Sequence, residues 1–275
     1  MTHETKKIAF IGAGNMAQAI IAGLIKGGWS GQQIMASNPG AAKLEQLASQ
    51  FKLLTTQDNN QAAEFGDIIV LAVKPQKMAE VCSRLSTCQL NNKLIISVAA
   101  GFPTAKISQA LASKLAIIRA MPNTPALIGY GATGLFANKN ASHNDKLTAE
   151  SIFRSVGIFC WINNEAKMDV VTAIAGSSPA YFFLMMQAMV EQAIDEGLTE
   201  IDAFNLITQT MAGAAMLARA TPQKSLKTLR EEVTSKGGTT AAAIASFTGN
   251  QFEQIIKQAV VASINRGKEL GNQQS

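Results

Sequence analysis

The sequence predicts an α/β fold in which a doubly wound sheet is followed by an all-helical region. Short β-branched runs alternate with amphipathic segments up to about Asn163, the pattern of strands joined by helical crossovers. Residues 67–73 are almost continuously apolar, as expected of a parallel strand that is buried on both faces. Beyond Asn163, long helix-like segments replace the β-type runs. We therefore predict one domain over residues 1–163 and a second over residues 164–275.

The elements of the first domain follow one another as strands joined by right-handed crossovers. Strands are predicted at residues 8–11, 33–37, 67–73, 93–98, 116–119, 131–136 and 157–161. Helices are predicted between them at residues 15–26, 41–51 and 146–155. The last two strands complete the far edge of the sheet. The second domain is predicted to consist of helices at residues 170–198, 200–220, 223–232 and 251–270.

Composition limits the class of protein. The 275 residues are 47% hydrophobic, which is enough for a sizeable core. The net charge of +5 comes from Lys and Arg scattered along the chain, so it suits small anionic ligands and does not indicate nucleic acid. Glycines interrupt the first apolar stretch, residues 8–14, which fits neither a signal peptide nor a spanning helix. We expect a cytoplasmic protein with no membrane segment.

Cysteine and histidine are scarce in this chain. Cys82, Cys88 and Cys160 lack metal-ligand spacing, and we interpret them as reduced packing residues. His3 and His143 lie in polar surroundings and are expected to be solvated. Hydrolysis by Ser/His/Asp or Cys/His groups, like most zinc sites, needs a histidine in a structured pocket. No metal site is therefore predicted.

Residues 179–194 are apolar almost all round, with Phe182, Phe183 and Leu184 at their centre. A helix of this kind is normally buried. The remaining helical residues cannot readily hide it alone, so we expect a second subunit to cover it, in preference to an intramolecular bundle. The prediction is a homodimer, and a larger ring of dimers stays open.

The first predicted strand leads directly into Gly12-Ala13-Gly14-Asn15-Met16-Ala17, and a helix follows. In this G-x-G-x-x-A pattern the first glycine allows a tight turn and the second lets a pyrophosphate approach the backbone. The small Ala17 keeps helix and strand close, while the helix N-terminus faces the phosphates. The loop is predicted to bind a dinucleotide. The alternative is a glycine-rich turn without a ligand.

The second predicted strand ends in Ser37-Asn38-Pro39, where an NAD-specific site usually has a carboxylate. Without that carboxylate, nothing there repels a 2′-phosphate. Ser37 and Asn38 can donate hydrogen bonds to such a phosphate, and Lys43 can approach it. NADPH is therefore the expected cofactor, and NADH stays open because an adjacent arginine is missing.

Loops at residues 72–76, 97–101 and 120–125 follow three further strands at the edge where open α/β sheets bind ligands. Each of these loops alone would be an ordinary connection between elements, but together with the glycine loop they indicate a nicotinamide cleft. In the helical domain, residues 235–240 precede an alanine-rich helix. Their free N–H groups and hydroxyls form an anion site suited to a carboxylate. The alternative is a flexible loop in which Thr239 or Thr240 caps the helix.

These motifs, in this order, make the chain similar to the pyrroline-5-carboxylate reductase family over nearly its whole length. Six elements carry the resemblance: residues 11–17, 72–76, 97–101, 121–125, 177–181 and 237–240. The resemblance implies a Rossmann domain followed by a helical dimerisation domain, with the active site where the two meet. It also implies the last step of proline biosynthesis, in which hydride passes from C4 of NAD(P)H to C5 of 1-pyrroline-5-carboxylate and gives L-proline.

The resemblance also implies roles for residues. Ser235, Gly237, Gly238, Thr239 and Thr240 would hold the substrate carboxylate and ring, and Thr240 is the candidate for the hydrogen bond to the imine nitrogen. Val73, Lys74 and Pro75, with Ala99, would border the nicotinamide half of the cofactor, and Asn59 would lie near the adenosine ribose. Together with the residues derived above, the expected cofactor contacts are Gly12, Gly14, Asn15, Met16, Ala17, Ser37, Asn38, Asn59, Ala72, Val73, Lys74, Pro75, Ala99 and Asn123.

Imine reduction needs chiefly a protonated nitrogen and a hydride donor about 3–3.5 Å from the carbon. Thr240 is a weak acid at neutral pH, so it either relays a proton from water or orients a substrate that binds already as the iminium. Two positions depart from the family pattern. Lys236 stands where many members have proline, and Ser178 stands where glycine is common.

Two other functions stay open at this point. A β-hydroxyacid dehydrogenase also joins a Rossmann domain to a helical one, but no lysine follows Gly176 here as that family's catalytic lysine would. A protein that senses NADPH and passes the signal to a partner would bind the cofactor without turnover.

Overall fold

The structure is a computed structural model that describes residues 6–273. The described chain divides into two compact units. The first unit comprises residues 6–179 and 263–273, and the second is Ala180–Ala262. His3 lies outside the described residues.

The first unit contains one eight-stranded sheet of order β3-β2-β1-β4-β5-β6-β7-β8. Its strands are β1 (Ile8–Ile11), β2 (Ile34–Ser37), β3 (Leu54–Thr56), β4 (Ile68–Leu71), β5 (Leu94–Ser97), β6 (Ala116–Met121), β7 (Gly131–Ala137) and β8 (Gly157–Trp161). Neighbouring strands are parallel except that β7 runs antiparallel to β6. The predicted doubly wound α/β sheet is confirmed.

Helices cover both faces of the sheet, and successive strand residues point to opposite faces. In β1, Ile8 and Phe10 enter one apolar cluster, while Ala9 and Ile11 enter the other. The helices of this unit are α1 (Asn15–Lys26), α2 (Ala41–Phe51), α3 (Asn59–Phe65), α4 (Met78–Leu85), α5 (Thr104–Ala110), α6 (His143–Arg154) and α7 (Met168–Val171). All four β1 side chains are fully buried, so the strand is held in place from both sides.

The structure adds one strand and three α-helices to those that the sequence predicts. Strand β3 and helices α3, α4 and α5 have only three to eight residues each. Segments this short carry too few turns or alternations for a periodic pattern. The residues of β3 are also only half-buried, so they do not form the continuous apolar run that marks the central strands.

The second half of the chain is helical, as predicted. Its helices are α8 (Ser178–Asp195), α9 (Glu200–Ala220), α10 (Leu226–Glu232), α11 (Thr239–Gly249) and α12 (Phe252–Gln273). The end of α12 belongs to the first unit, where the Nζ of Lys106 donates a hydrogen bond to the carbonyl oxygen of Gly271 at 2.7 Å.

Helix α8 was expected to be covered by a second subunit rather than by its own chain, and in the single chain its apolar side chains are indeed exposed. Phe182, Phe183 and Leu184 are 52%, 62% and 69% exposed. The stretch Glu165–Asp195 is long and apolar enough to cross a membrane by length and composition. One such helix is weak evidence for a membrane span, because a helix covered by another subunit has the same composition.

The three cysteines are free thiols in different surroundings. Cys82 is buried, and desolvation raises the pKa of its thiol to about 11, which keeps it protonated and unreactive at neutral pH. Cys88 is half-buried, and burial likewise raises the pKa of its thiol. Cys160 is exposed on the edge strand β8, so interpreting it as a packing residue is wrong for this chain. His143 is exposed at the start of α6, as expected.

Candidate active site

The turn after β1 is fixed by the ends of the two neighbouring strands. Gly12 has φ +103°, and its N–H donates a hydrogen bond to the carbonyl oxygen of Ser37 at the end of β2 (2.9 Å). A Cβ atom on Gly12 would lie 2.7 Å from the carbonyl oxygen of Ala72, beyond the end of β4. Both the backbone angle and this close approach require glycine.

Gly14 is the N-cap of α1, and a Cβ atom there would meet nothing within 4 Å. No side chain caps this helix, and no acidic residue lies in its first turn. Asn15 is exposed, Met16 is half-buried and Ala17 is fully buried against the sheet. The start of α1 therefore offers free N–H groups beside open space, which fits the pyrophosphate of a dinucleotide.

The residues predicted near the adenosine ribose are linked to one another. Ser37 is fully buried, and its hydroxyl donates to the Oδ1 of Asn59 at 2.7 Å, with the carbonyl oxygen of Phe10 at 3.3 Å. A serine hydroxyl has one proton, so this one is used within the protein. Asn59 is half-buried, and its Nδ2 donates no hydrogen bond to another group of residues 6–273. In this arrangement the Nδ2 of Asn59 is free to donate a hydrogen bond to a ligand, and Ser37 holds the Asn59 side chain in place.

Asn38 lies at the same edge with its side chain in use. Its Nδ2 donates to the carbonyl oxygen of Gly40 at 3.2 Å, and its backbone N–H donates to the carbonyl oxygen of Thr56 at 3.3 Å. Lys43 is exposed in the first turn of α2. No side chain caps α2, whose N-cap is Gly40. This edge therefore carries the amide donor of Asn59, the ammonium group of Lys43 and the uncapped start of α2.

The loops predicted near the nicotinamide leave the sheet side by side. Strands β1, β4 and β5 are parallel neighbours, and the residues after them continue the ladder: Ala72 N–H donates to Ile11 (2.8 Å) and Val98 N–H to Leu71 (3.1 Å). Ala99 is buried, and its N–H lies 3.3 Å from the Oγ of Ser97. The structure thus brings the loops of residues 12–17, 72–76 and 97–101 to one edge of the sheet.

Within the loop after β4, exposure differs from residue to residue. Val73 is half-buried, Lys74 is exposed, and Pro75 begins a short 3-10 helix, Pro75–Lys77. Proline at this position ends the strand and starts the turn, since its fixed φ suits the first helical residue. Lys74 leaves its ammonium group free for an anion, because it forms no ion pair within residues 6–273.

Asn123 has a different surrounding from the one expected of a cofactor contact. Its side chain is buried, with Oδ1 accepting from the N–H of Ala132 (2.8 Å) and Nδ2 donating to the carbonyl oxygen of Ala175 (3.1 Å). In a helix the carbonyl oxygen of Ala175 would accept from the N–H of residue 179, but that residue is Pro179, which has no N–H. Asn123 thus replaces the missing helical hydrogen bond and joins β7 to the segment before α8.

The segment that Asn123 supports is a π-helix, Thr172–Gly176, closed by a hydrogen bond from the N–H of Ser177 to the carbonyl oxygen of Thr172 (2.8 Å). Single π-turns in helices often occur at functional sites. The sequence signals available for it are Gly176 and Pro179, which weaken regular helix on either side. Sequence reasoning missed this element, and it also missed the ionic cluster that Arg119 forms with Glu165 and Asp169.

The predicted substrate loop leads into α11 in the second unit. Gly238 is the N-cap of α11 and no side chain caps the helix, so Thr239 and Thr240 are its first two residues rather than its cap. Within residues 6–273, the hydroxyls of Ser235, Thr239 and Thr240 make no hydrogen bond to another protein group. Thr240 is half-buried, while Gly237 and Lys236 are exposed. The loop thus offers three free hydroxyls at an uncapped helix start.

Comparison with known proteins gives two matching family models. A pyrroline-5-carboxylate reductase dimerisation model matches residues 165–270, and an NADP oxidoreductase, coenzyme F420-dependent, model matches residues 7–101. Among curated relatives, the pyrroline-5-carboxylate reductase of Haemophilus influenzae is 48% identical over 267 residues, which are 97% of this chain and 98% of that protein.

Solved structures agree with the sequence comparison. A pyrroline-5-carboxylate reductase from Coxiella burnetii superposes with a TM-score of 0.90 at 42% identity, covering 97% of this chain and 98% of that one. A pyrroline carboxylate reductase from Plasmodium falciparum with NADP bound has a TM-score of 0.89 at 30% identity, covering 98% and 100%. The similarity therefore extends over both halves of the chain.

The two glycines of the first turn are expected to differ when each is changed to alanine. Gly12→Ala should lower the free energy of unfolding by about 3 kcal/mol or more, because it combines a positive φ with a backbone clash. Gly14→Ala should change it by about 1 kcal/mol or less but raise the KM for NADPH about tenfold, because the new methyl group fills the space beside the helix start. Urea denaturation and steady-state kinetics measure both quantities. Equal stability losses would contradict this account of the turn.

Proposed function

This chain belongs to the pyrroline-5-carboxylate reductase family, and on that premise we propose that it reduces 1-pyrroline-5-carboxylate to L-proline, the last step of proline biosynthesis. It is an oxidoreductase that uses NAD(P)H. The observation that carries the proposal is the loop of residues 235–240, where free hydroxyls meet an uncapped helix start. Such a start binds a carboxylate, and the substrate carries one on its ring.

Bound NAD(P)H supplies the hydride. The residues of the chain bind the cofactor and the substrate, orient them and assist protonation of the imine nitrogen. We assign the cofactor to Gly12 and Gly14, with Asn15, Met16 and Ala17 at the start of α1. Ala72, Val73, Lys74 and Pro75 after β4 and Ala99 after β5 complete the assignment. Asn59 donates to the ribose or its 2′-phosphate, while Ser37 and Asn123 act by holding Asn59 and the π-helix, respectively. This division follows from the hydrogen bonds that Ser37 and Asn123 already make.

In the substrate loop, the N–H groups of α11 and the hydroxyls of Ser235 and Thr239 hold the carboxylate, and Thr240 meets the imine nitrogen. The alcohol of Thr240 is too weak an acid to protonate an imine by itself. It therefore passes on a proton from water or accepts a hydrogen bond from an iminium that forms in solution. In both routes the hydroxyl fixes the ring so that its C5 faces the hydride donor.

The domain assignment and the assembly belong to the same proposal. Residues 1–163 bind the cofactor, and residues 164–275 bind the substrate and a second subunit. In the second unit, α8 and α9 line a groove of about 530 Å³ that includes the exposed side chains of Phe183 and Phe204 and the half-buried Val190. A water-exposed apolar face of this kind favours cover by another copy of the chain. We assign the protein to the cytoplasm, consistent with an enzyme of amino-acid biosynthesis.

Family membership decides against a β-hydroxyacid dehydrogenase, and one assay separates the reductase from a protein that only senses NADPH. NADPH oxidation is followed at fixed pH with and without 1-pyrroline-5-carboxylate. Oxidation that depends on the imine is the expected result. If the folded protein binds NADPH without such oxidation, the proposed function fails.

Thr240→Ala is expected to lower kcat at least about tenfold, because one hydrogen bond to a reacting group contributes about 1.5–3 kcal/mol. The Kd for NADPH should change by less than twofold. The matched control is Thr248→Ala on the same helix, whose hydroxyl bonds only to the carbonyl oxygen of Ile244 and should leave kcat unchanged. A loss confined to NADPH affinity would contradict the role of Thr240.

Asn59→Asp is expected to reverse part of the cofactor preference. The aspartate keeps the acceptor for Ser37 but replaces the amide donor by a carboxylate, which repels a 2′-phosphate and accepts from ribose hydroxyls. The ratio of kcat/KM for NADPH to that for NADH should fall about tenfold or more. Asn60→Asp, one residue along the same helix, is the control for added charge. An equal change in both variants would show that charge alone is responsible.

The dimer is expected to depend on the apolar groove. Phe183→Glu should give a monomer, as measured by light scattering after size-exclusion chromatography, because it puts a charge where an apolar surface is covered. Phe183→Leu keeps an apolar side chain there and should remain dimeric. A wild-type protein that is monomeric at micromolar concentration would refute the assignment.

A further inference from the structure

A cavity of about 510 Å³ lies beside the loop after β5, outside the proposed cofactor and substrate sites. All of its lining residues lie in the first unit. Its charged members are Lys106 on α5, Arg119 on β6, Glu165 and Asp169 before and in α7, and Lys268 near the end of α12. Three cations and two anions therefore face one small space.

Arg119 is the buried member of this cluster. It is only 4% exposed, and its nearest carboxylate atoms are Glu165 Oε1 at 3.6 Å and Asp169 Oδ1 at 3.9 Å. These separations are too long for hydrogen bonds, and its guanidinium donates none to an acceptor within residues 6–273. A guanidinium has five N–H donors, and the guanidinium nitrogens of Arg119 are not sealed inside the protein. Arg119 lines the cavity with that capacity unused.

The other charged groups differ in how far they are engaged. Both oxygens of Glu165 accept hydrogen bonds from Thr104, one from its N–H at 2.7 Å and one from its hydroxyl at 2.8 Å. Lys106 uses one of its three protons on Gly271. Within residues 6–273, Asp169 accepts no hydrogen bond through its carboxylate and Lys268 forms no ion pair. The cavity therefore keeps cationic donors and one anionic acceptor available.

We propose that this cavity binds a zwitterionic α-amino acid. The carboxylate of the ligand meets Arg119, whose planar fork suits it, with Lys268 at the rim. Its ammonium group meets Asp169. A simple anion would leave Asp169 facing a like charge, and a simple cation would face three positive side chains. The ammonium and carboxylate groups of an α-amino acid are bonded to the same carbon, so their charges lie a few ångströms apart, like Arg119 and Asp169.

The cavity adjoins the proposed cofactor site through the loop after β5, but its lining residues include none of the individually assigned cofactor or substrate contacts. Gly101 and Pro103 line it, two and four residues after Ala99 in the same loop. If the proposed function holds, the product L-proline is itself a zwitterionic α-amino acid, with a secondary ammonium group beside its carboxylate. L-Proline is therefore the probe of choice, and the inference rests on the proposed function in that choice alone.

The test is calorimetric titration of L-proline into the full chain and into three variants. Asp169→Asn and Lys268→Glu should each weaken binding at least tenfold. Lys167 is an exposed neighbour that does not line the cavity, so Lys167→Glu should leave the affinity for L-proline within twofold of the wild-type value. The kcat and KM for 1-pyrroline-5-carboxylate should stay within twofold in all three. Lys268 is exposed, so its variant keeps the test valid if Asp169→Asn fails to fold.

Two results would overturn the proposal. One is L-proline binding that survives both cavity variants but is lost in Thr240→Ala, which would place the amino acid at the substrate loop. The other is equal binding of cyclopentanecarboxylate, which lacks the ammonium group and would make the cavity an anion site. Neither result bears on the proposed function, which fails only if imine-dependent NADPH oxidation is absent.

Discussion

Backbone hydrogen bonds beyond the strand ends determine where the loops of this protein leave the sheet. Gly12 N–H bonds to Ser37, Ala72 N–H to Ile11 and Val98 N–H to Leu71, so the ladder continues from β2 to β5 one residue past each strand. The loops therefore start at one level, and the close approach of Gly12 to Ala72 leaves no room for a side chain between them. Every proposed cofactor contact near the pyrophosphate and nicotinamide depends on this arrangement.

The sheet and its glycine turn were predictable because their signals are local and redundant. β1, β4 and β5 each have four consecutive fully or almost fully buried residues, and the sequence shows these as continuous apolar runs. The glycine pattern then follows β1 directly, which fixes its position at the carboxyl end. The short elements were not predictable, since β3 has three half-buried residues and gives no periodic pattern.

Hydrogen-bond partners were the part of the site that residue types could not reveal. Ser37 was expected to donate to a phosphate, but the fold uses its one proton on Asn59. Asn123 was expected to touch the cofactor, but its amide supports Ala132 and Ala175. Both outcomes depend on residues 9 to 52 positions away in the chain, a distance at which sequence pattern carries no information. The exposure of α8 is different, because its all-round apolar composition already indicated a surface that its own chain does not cover.

The N-termini of the helices differ in whether a side chain caps them, and this difference bears on the proposed chemistry. Helices α3, α6, α9 and α10 are capped by their own preceding side chains, Asp58, Ser142, Thr199 and Ser225. In contrast, α1, α2 and α11 begin after a glycine, with no capping side chain and no acid in the first turn. Their N–H groups and positive dipole ends stay available for anions.

The proposed reaction brings three such anions: the pyrophosphate, the 2′-phosphate of NADPH and the substrate carboxylate. The first follows the glycine turn at α1, the second the Ser37-Asn38 edge at α2, and the third the loop of residues 235–240 at α11. A helix whose own side chain occupies its cap loses this capacity, so the absence of a cap is the property that these three starts share. The chain can thus bind a highly anionic cofactor and an anionic substrate largely through backbone dipoles. That explains why its cofactor edge needs few charged side chains and why a serine and an asparagine can stand where an arginine is missing.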